Sequence, residues 1–568
     1  MTLTHDSDTH DTHDPRSGPG DCARTTGNLV ARFDPIELEI CWQSLIATVN
    51  EQAKALQRSA FSPIVREAGD LANAVFDRRG RMVAQAVTGT PGHINSLAVA
   101  VSNILEEYPV DSLEEGDVLI TNDPYKTAGQ LLDVTVLVPV WRRGRLIAMF
   151  GSTIHHTDVG GYGIGAGGRD VFEEGLWIPI VKLMKAGERN DDVWKIILSN
   201  VRQPDHMGGD LHAQMASGQI GAQRLLALCD HHGFDDIEDL ADEIIERSEE
   251  ATRAGIRELE SGRYESSALL DLADGSEIVI RCALIVDAEA GAITVDYTGS
   301  SDASRWGINV VRNYSHAYTT FVVRSVLSPD IPNNHGSLRP IEMIAPEGSI
   351  LNAVSPQPCT ARHVVGMFLP NALLKALAQV RPDGAMAEGS GAVWTMQVSG
   401  NHDDGSPFIT AMFTYAGGVG GRATKPGLDA CSYPTGVAAV PIEVVEASAP
   451  IRFTTKALRP GSGGDGAQTG GLGQTIEFEV DTPREWQLNA VTSRLAEAPQ
   501  GIFGGEAGAA GAFSVNGENV TTQERITLQP GDRVRLDLPG GGGYGASTHH
   551  EPPEHHDPPT HRDEEKIA

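Results

Sequence analysis

A chain of 568 residues, 40% hydrophobic and 21% charged, has a globular composition and is too long for one core, so about two to four domains are expected. A net charge of −32 with no basic stripe argues against a nucleic-acid partner. No apolar run reaches the roughly 18–20 residues of a membrane span, and the polar N-terminus does not read as a signal peptide. The six cysteines (Cys22, Cys41, Cys229, Cys282, Cys359 and Cys431) are widely spaced and include no C-x-x-C pair, so they read as reduced thiols of a cytoplasmic protein.

Residues 1–33 lack a hydrophobic pattern, and residues 546–568 are Pro, His and acid. Neither stretch can bury enough surface to offset its ordering entropy, so both read as disordered tails. The body opens at Asp34-Pro35, which suits an N-cap and first helical position, and Ile36, Ile40, Leu45 and Val49 continue a roughly helical stripe. "NAVFDRRGRMVAQA" predicts two short strands around a turn at residues 77–80. "TPGHINSLAVAVSNILEEYP" predicts a turn and an amphipathic helix.

Three strands follow. The first ends in "TNDPY", stopped by Pro124. The other two, residues 133–140 and 145–154, form a hairpin across "WRRG". Its register sets Asp133 opposite roughly residues 153–155. Next come a helix ending at Gly233 and a second with Ile237, Leu240, Ile244, Ile256 and Leu259 at helical spacing. Beyond residue 265 the pattern turns β-rich, with a hairpin in "SEIVIRCALIVDAEAGAITVDYTG". One helix interrupts it, "FLPNALLKALAQV", and strands and glycine turns fill residues 410–545. The expected fold class is mixed α+β: an N-terminal α/β region of hairpins and helices (34–265) and a β-rich, glycine-rich C-terminal half (266–545).

The chemistry concentrates in "FGSTIHHTDVGGYGIGAGGRD", residues 150–170. Alternation along a strand would put His156 and Asp158 on one face and His155 on the other. A turn at Gly160 and Gly161 could instead aim all three at one point. Asp123 and Asp133 stand at neighbouring strand ends. Imidazole and carboxylate together suit Zn²⁺, Mn²⁺ or Fe²⁺. Asp123, Asp133, His155, His156 and Asp158 are therefore the metal candidates, some of them in an orienting role. The alternative is two half-exposed histidines beside an Asp that caps a turn. Glu67, Asp70 and His93 are candidates for acid/base or positioning work.

Nucleotide chemistry finds no support. Gly163, Gly165 and Gly168 have G-x-G-x-x-G spacing but lack the following helix and the distant acid that a dinucleotide site needs. No G-x-x-x-x-G-K-[ST], G-x-S-x-G or H-E-x-x-H occurs.

"REAGD" (66–70), "TNDPY", "LLDVTVLVPV", "HHTDVGG", "FEEGLWIPIVKL" (172–183), "NVRQPDHMGGDLHAQ" (200–214), "NNHGSLRPIEMIAPEGSI", "AGGVGGRATKPGLDA", "GSGGDGAQTGGLGQ" and "PGGGGYG" follow one another in this order. In this the chain resembles the hydantoinase B/oxoprolinase family from about Asp34 to Tyr544. It departs from many relatives in having Gln130 where they have His in a G-x-x-L-x-D element. It also has Thr469 where the glycine motif commonly reads R-G-G. The first departure touches a potential metal ligand, the second substrate or subunit contact.

The resemblance implies a two-component, ATP-dependent system. A hydantoinase A-like ATPase partner binds ATP and Mg²⁺ and phosphorylates a carbonyl oxygen, and the B-type chain acts on the activated intermediate. The implied activity is hydrolysis of a cyclic amide by a metal-bound water. Two alternatives stay open: a subunit of a ketone carboxylase of the acetone or acetophenone type, and a non-catalytic scaffold for the ATPase.

Overall fold

The computed structural model describes residues 33–87 and 90–547. The two tails, apart from their boundary residues, and Cys22 lie outside the described residues. Asp34 caps the first helix, Pro35–Ser59, by accepting from the amides of Ile36 and Glu37. Its buried face is Leu38, Cys41, Trp42, Leu45 and Val49, while Ile36 and Ile40 are 71% and 53% exposed. The stripe expected from Ile36 and Ile40 is thus displaced. Positions 38, 41, 42, 45 and 49 keep the 3–4 spacing, and 36 and 40 fall on the opposite side.

A seven-stranded antiparallel sheet organises the N-terminal region: β1 (Leu71–Asp77), β2 (Met82–Gln85), β3 (Val118–Thr121), β4 (Asp133–Arg142), β5 (Arg145–His155), β6 (Val181–Lys185) and β7 (Glu188–Arg189). Its order is β2-β1-β5-β4-β3-β6-β7. The β4–β5 hairpin pairs Asp133 directly with His155. Helix Pro91–Glu107 packs on β1, β4 and β5, and Pro204–His232 also packs on β4 and β5. Nearly every residue of β4 and β5 is consequently buried, and their sequence reads as a continuous apolar run. Gly233, with φ 73°, ends the Pro204 helix in the left-handed conformation.

Three more sheets follow: four strands within residues 262–344, then one of four and one of five within 394–537. One hydrophobic core joins Val134 and Val136 of the first sheet to Trp394, Met396, Ile476 and Leu536. Among the helices outside the sequence expectation are Arg312–Leu327, Asp191–Ser199 and Ile442–Ser448. The first is rich in Thr and Val and buried on all sides, so it shows no amphipathic stripe. None of the five described cysteines forms a disulfide. Among the described residues no helix is long and apolar enough to cross a membrane.

The glycine motifs of the C-terminal half pack backbone against backbone. Gly541 donates to the Gly471 carbonyl at 2.9 Å, Gly471 to Val419 at 2.8 Å, and Gly464 to Gly541 at 2.8 Å. A Cβ on Gly541 would stand 2.0 Å from the Val419 carbonyl oxygen. Main-chain atoms cannot yield as a side chain can, so "GGVGG", "TGGLG" and "PGGGG" are required together. Overpacking costs roughly 1–3 kcal/mol even where side chains can give way, and each kcal/mol moves a melt by about 2–4 °C in a large domain. Gly541→Ala should therefore lower the thermal midpoint by about 5 °C or more. An unchanged melt would show that this packing does not constrain the fold.

Candidate active site

The β4–β5 pairing persists one residue past the strand, because the His156 amide donates to the Leu132 carbonyl at 2.8 Å. Side chains therefore keep alternating through the two histidines. His155, paired with Asp133 across the hairpin, lines a pocket together with His93 of the Pro91 helix. His156 turns toward the Pro204 helix, where Asp210 and Gln214 are its polar neighbours.

Asp133 is the hub. It is fully buried and accepts from the Gln130 amide at 2.8 Å and from the Arg362 guanidinium. His93 Nε2 lies 3.0 Å from its Oδ2. On the other side of that ring, Nδ1 is 3.3 Å from Asp70 Oδ1, close enough for charge but not aligned as a hydrogen bond. Arg362 also donates to the Ala128 carbonyl and lies over the Tyr314 ring, 4.1 Å from its centroid. Gly129 makes room for it: with φ 91°, a Cβ there would be 2.8 Å from Arg362 Cδ.

Burial alone would raise the Asp133 pKa, but the charges of Arg362 and His93 hold it well below the usual carboxylate range. Burial opposes a charge on His93, yet Asp133 and Asp70 outweigh it and push its pKa up. Asp70 itself is raised to about 6, mainly by burial. His155 and His363 are both pushed down to about 3, again mainly by burial. Around Asp133 the site thus gathers a second carboxylate, the Arg362 guanidinium and an imidazole, His93, that its flanking carboxylates draw toward the charged form, with two imidazoles beside them that burial holds neutral. His363 Nε2 is buried and has no hydrogen-bond partner among the described residues.

Asp70, His93, Gln130, His155, Tyr314, Arg362 and His363 line a small cavity of about 30 Å³. That is space for one or two water molecules. Its walls come from both sides of residue 265.

Three of the five metal candidates point elsewhere. Asp123 caps the "TNDPY" turn, accepting from the Tyr125 amide at 3.0 Å. Asp158 accepts from the amides of Gly160 and Arg202 and pairs with Arg202 Nε at 3.2 Å. His156 faces the Pro204 helix. The expected convergence of five residues is therefore corrected: strand alternation separates the two histidines, and turn capping engages the two outer aspartates. Among the described residues, no group of three or more His, Cys, Asp or Glu side chains is placed to hold a metal ion. The donor set that remains around Asp133 does not fit one either. Its carboxylate is already satisfied by protein donors, one of them the permanently charged Arg362.

Of the acid/base candidates, Asp70 and His93 lie in the pocket. Glu67 is half-exposed beside Arg66, 2.8 Å away, and does not line it. Arg362, His363 and Tyr314 stand outside the sequence-derived candidates. The adjacent Arg-His of "TARHVVG" is the local signal for the first two, and only the fold brings it to Asp133. Glu174, in "FEEGLWIPIVKL", anchors that segment by accepting from the amides of Cys359 and Thr360, each at 2.7 Å.

A model of the family described as hydantoinase B/oxoprolinase matches residues 34–547. The chain is 30% identical to the B-type subunit of a putative D-/L-hydantoinase of Pseudomonas sp. (strain NS671), over 92% of this chain and 91% of that one. It is 28% identical to the beta subunit of the caprolactamase of Pseudomonas jessenii, over 90% and 91% of the two chains. The crystal structure of the ATP-dependent caprolactamase from that organism superposes with a TM-score of 0.83 at 25% identity, covering 91% of this chain and 92% of that one. An acetone carboxylase structure shares the fold, with a TM-score of 0.82 at 18% identity over 90% and 76% of the chains.

Burial raises the Glu174 carboxyl from 4.5 to about 7, against the hydrogen bonds from Thr360 and Cys359 that lower it. The folded chain therefore holds a proton that the unfolded chain releases between those values. The stability this contributes is fully present below about pH 4.5 and is lost as the pH rises through about 7, on the order of 3 kcal/mol in all. Glu174→Gln should come nearest the wild type in thermal stability at about pH 4.5 and exceed it at pH 8.5. Parallel pH profiles for the two proteins would contradict the assignment.

Proposed function

Because the chain belongs to the hydantoinase B/oxoprolinase family, we propose that it is the B-type subunit of an ATP-dependent hydrolase of cyclic amides, working on a carbonyl that a partner ATPase subunit has phosphorylated. The lack of any phosphate-binding loop supports this division of labour. The names of its relatives, the B-type subunit of a hydantoinase and the beta subunit of a caprolactamase, point the same way.

An amide resists water because resonance makes its carbonyl carbon a poor electrophile. Transfer of a phosphoryl group to the oxygen removes that resonance. What remains is to deprotonate the attacking water, to protonate the ring nitrogen as the carbon–nitrogen bond breaks, and to hydrolyse the resulting acyl phosphate with a second water, which releases inorganic phosphate. One observation carries the assignment: His93, whose flanking carboxylates favour its charged form, and His363, whose burial favours its neutral form, line the same small cavity. His363, with its unpartnered Nε2, is the base that takes the proton of the water. His93, held protonated by Asp133 and Asp70, is the acid that supplies the nitrogen. Two groups of one residue type with pKa values driven apart are the arrangement acid–base chemistry needs. Arg362 supplies fixed positive charge where negative charge develops on oxygen.

The test is co-production with an ATPase partner and a screen of hydantoins, 5-oxoproline and lactams with ATP, and of ketones with ATP and bicarbonate. Ring opening coupled to ATP hydrolysis is expected. His93→Gln and His363→Gln should each slow ring opening by at least about 100-fold, while the partner's ATP hydrolysis continues. Bicarbonate-dependent carboxylation of a ketone without ring opening would overturn the hydrolase reading. Undiminished turnover in both variants would overturn the acid–base assignment.

A further inference from the structure

We propose that the cation of this pocket is the Arg362 guanidinium itself, and that Gln130 and Arg362 together make it a pocket without a resident transition-metal ion. The inference concerns the same pocket as the proposed hydrolysis but does not rest on that reaction.

The reasoning begins with the oxygens of Asp133. Oδ1 accepts from the Gln130 side-chain amide at 2.8 Å. An imidazole at position 130 would offer a lone pair to a metal, whereas the amide nitrogen has only protons to give, and it gives one to the carboxylate. Oδ2 takes the Arg362 guanidinium and has His93 Nε2 at 3.0 Å. The oxygens a metal would need are therefore committed.

Arg362 is held as a permanent part of the site. The side chain is 2% exposed, its Nε donates to the Ala128 carbonyl, and its guanidinium lies over Tyr314. Its passage depends on the missing Cβ of Gly129. A guanidinium does not lose its proton in a protein, so the charge cannot step aside for an ion as a lysine or histidine could. It also has the geometry to meet an oxyanion with two parallel hydrogen bonds. The ligand class such a centre takes is a phosphoryl or carboxyl oxyanion, bound by the arginine with no bridging metal. Two imidazoles remain in the pocket, His155 and His363. They do not make up a three-ligand set, and among the described residues no such set exists.

The experiment is elemental analysis of the untagged full chain, equilibrated in turn with Zn²⁺, Mn²⁺ and Fe²⁺ and passed through gel filtration. Because the two tails hold 8 of the 19 histidines, His155→Ala supplies the background from metal bound outside the pocket. The wild type is expected to retain no more metal than His155→Ala. Gln130→His/Arg362→Gln should retain about one additional ion per chain, which the further change His155→Ala removes again. Circular dichroism establishes that each variant is folded. If the wild type holds one ion per chain that His155→Ala removes, the proposal is overturned. If the folded Gln130→His/Arg362→Gln variant gains nothing, Gln130 and Arg362 are not what excludes the ion, and the proposal fails. Metal content is read without turnover, so either result stands apart from the success or failure of the hydrolase assignment.

Discussion

A carboxylate removed from water must be met by protein donors, and Asp133 is removed completely. Most of what is unusual around it serves that need. Gln130, three residues before it, closes one oxygen. Arg362 reaches the other from more than 200 residues away, over Tyr314 and past a glycine that cannot carry a side chain. Glu174 fastens the segment from which Arg362 projects. Removing either partner alone would leave a buried charge unpaired, which is far more costly than the pair is stabilising. The sheet, the Pro91 helix and the C-terminal half are joined at this point by charge as well as by the shared apolar core.

The same pairing sets the protonation of everything nearby. His93 is drawn toward its charged form because two carboxylates flank it, and His155 and His363 are held neutral by burial. Rings of opposite tendency thus line one cavity of about 30 Å³.

Local patterns in the sequence carried the fold a long way. Alternation and the short "WRRG" turn placed Asp133 opposite residues 153–155, and the strands pair Asp133 with His155. Asp34 and Gly233 marked helix ends for reasons of capping and left-handed backbone. Ile36 and Ile40 misled because near-helical spacing alone does not say which of two stripes faces inward. The Arg312 helix was silent because a helix buried on all sides has no polar face to give it a period. In the site, Asp70, His93, Asp133 and His155 were visible as chemistry-bearing residues near strand and helix ends. Asp123, His156 and Asp158 looked the same in sequence but are engaged by capping and by the opposite face of the sheet. Arg362 and His363 were beyond reach, since no local pattern tells which distant loop will cover a strand end.

The protonation state of His93 tests the central claim most directly. Nitrogen-15 NMR of histidine-labelled protein, with the signal assigned by its loss in His93→Gln, reads both ring nitrogens. Both should be protonated at pH 7.5, as an imidazolium held between Asp133 and Asp70 requires. A neutral His93 ring at that pH would contradict the balance of buried charges on which the site is built.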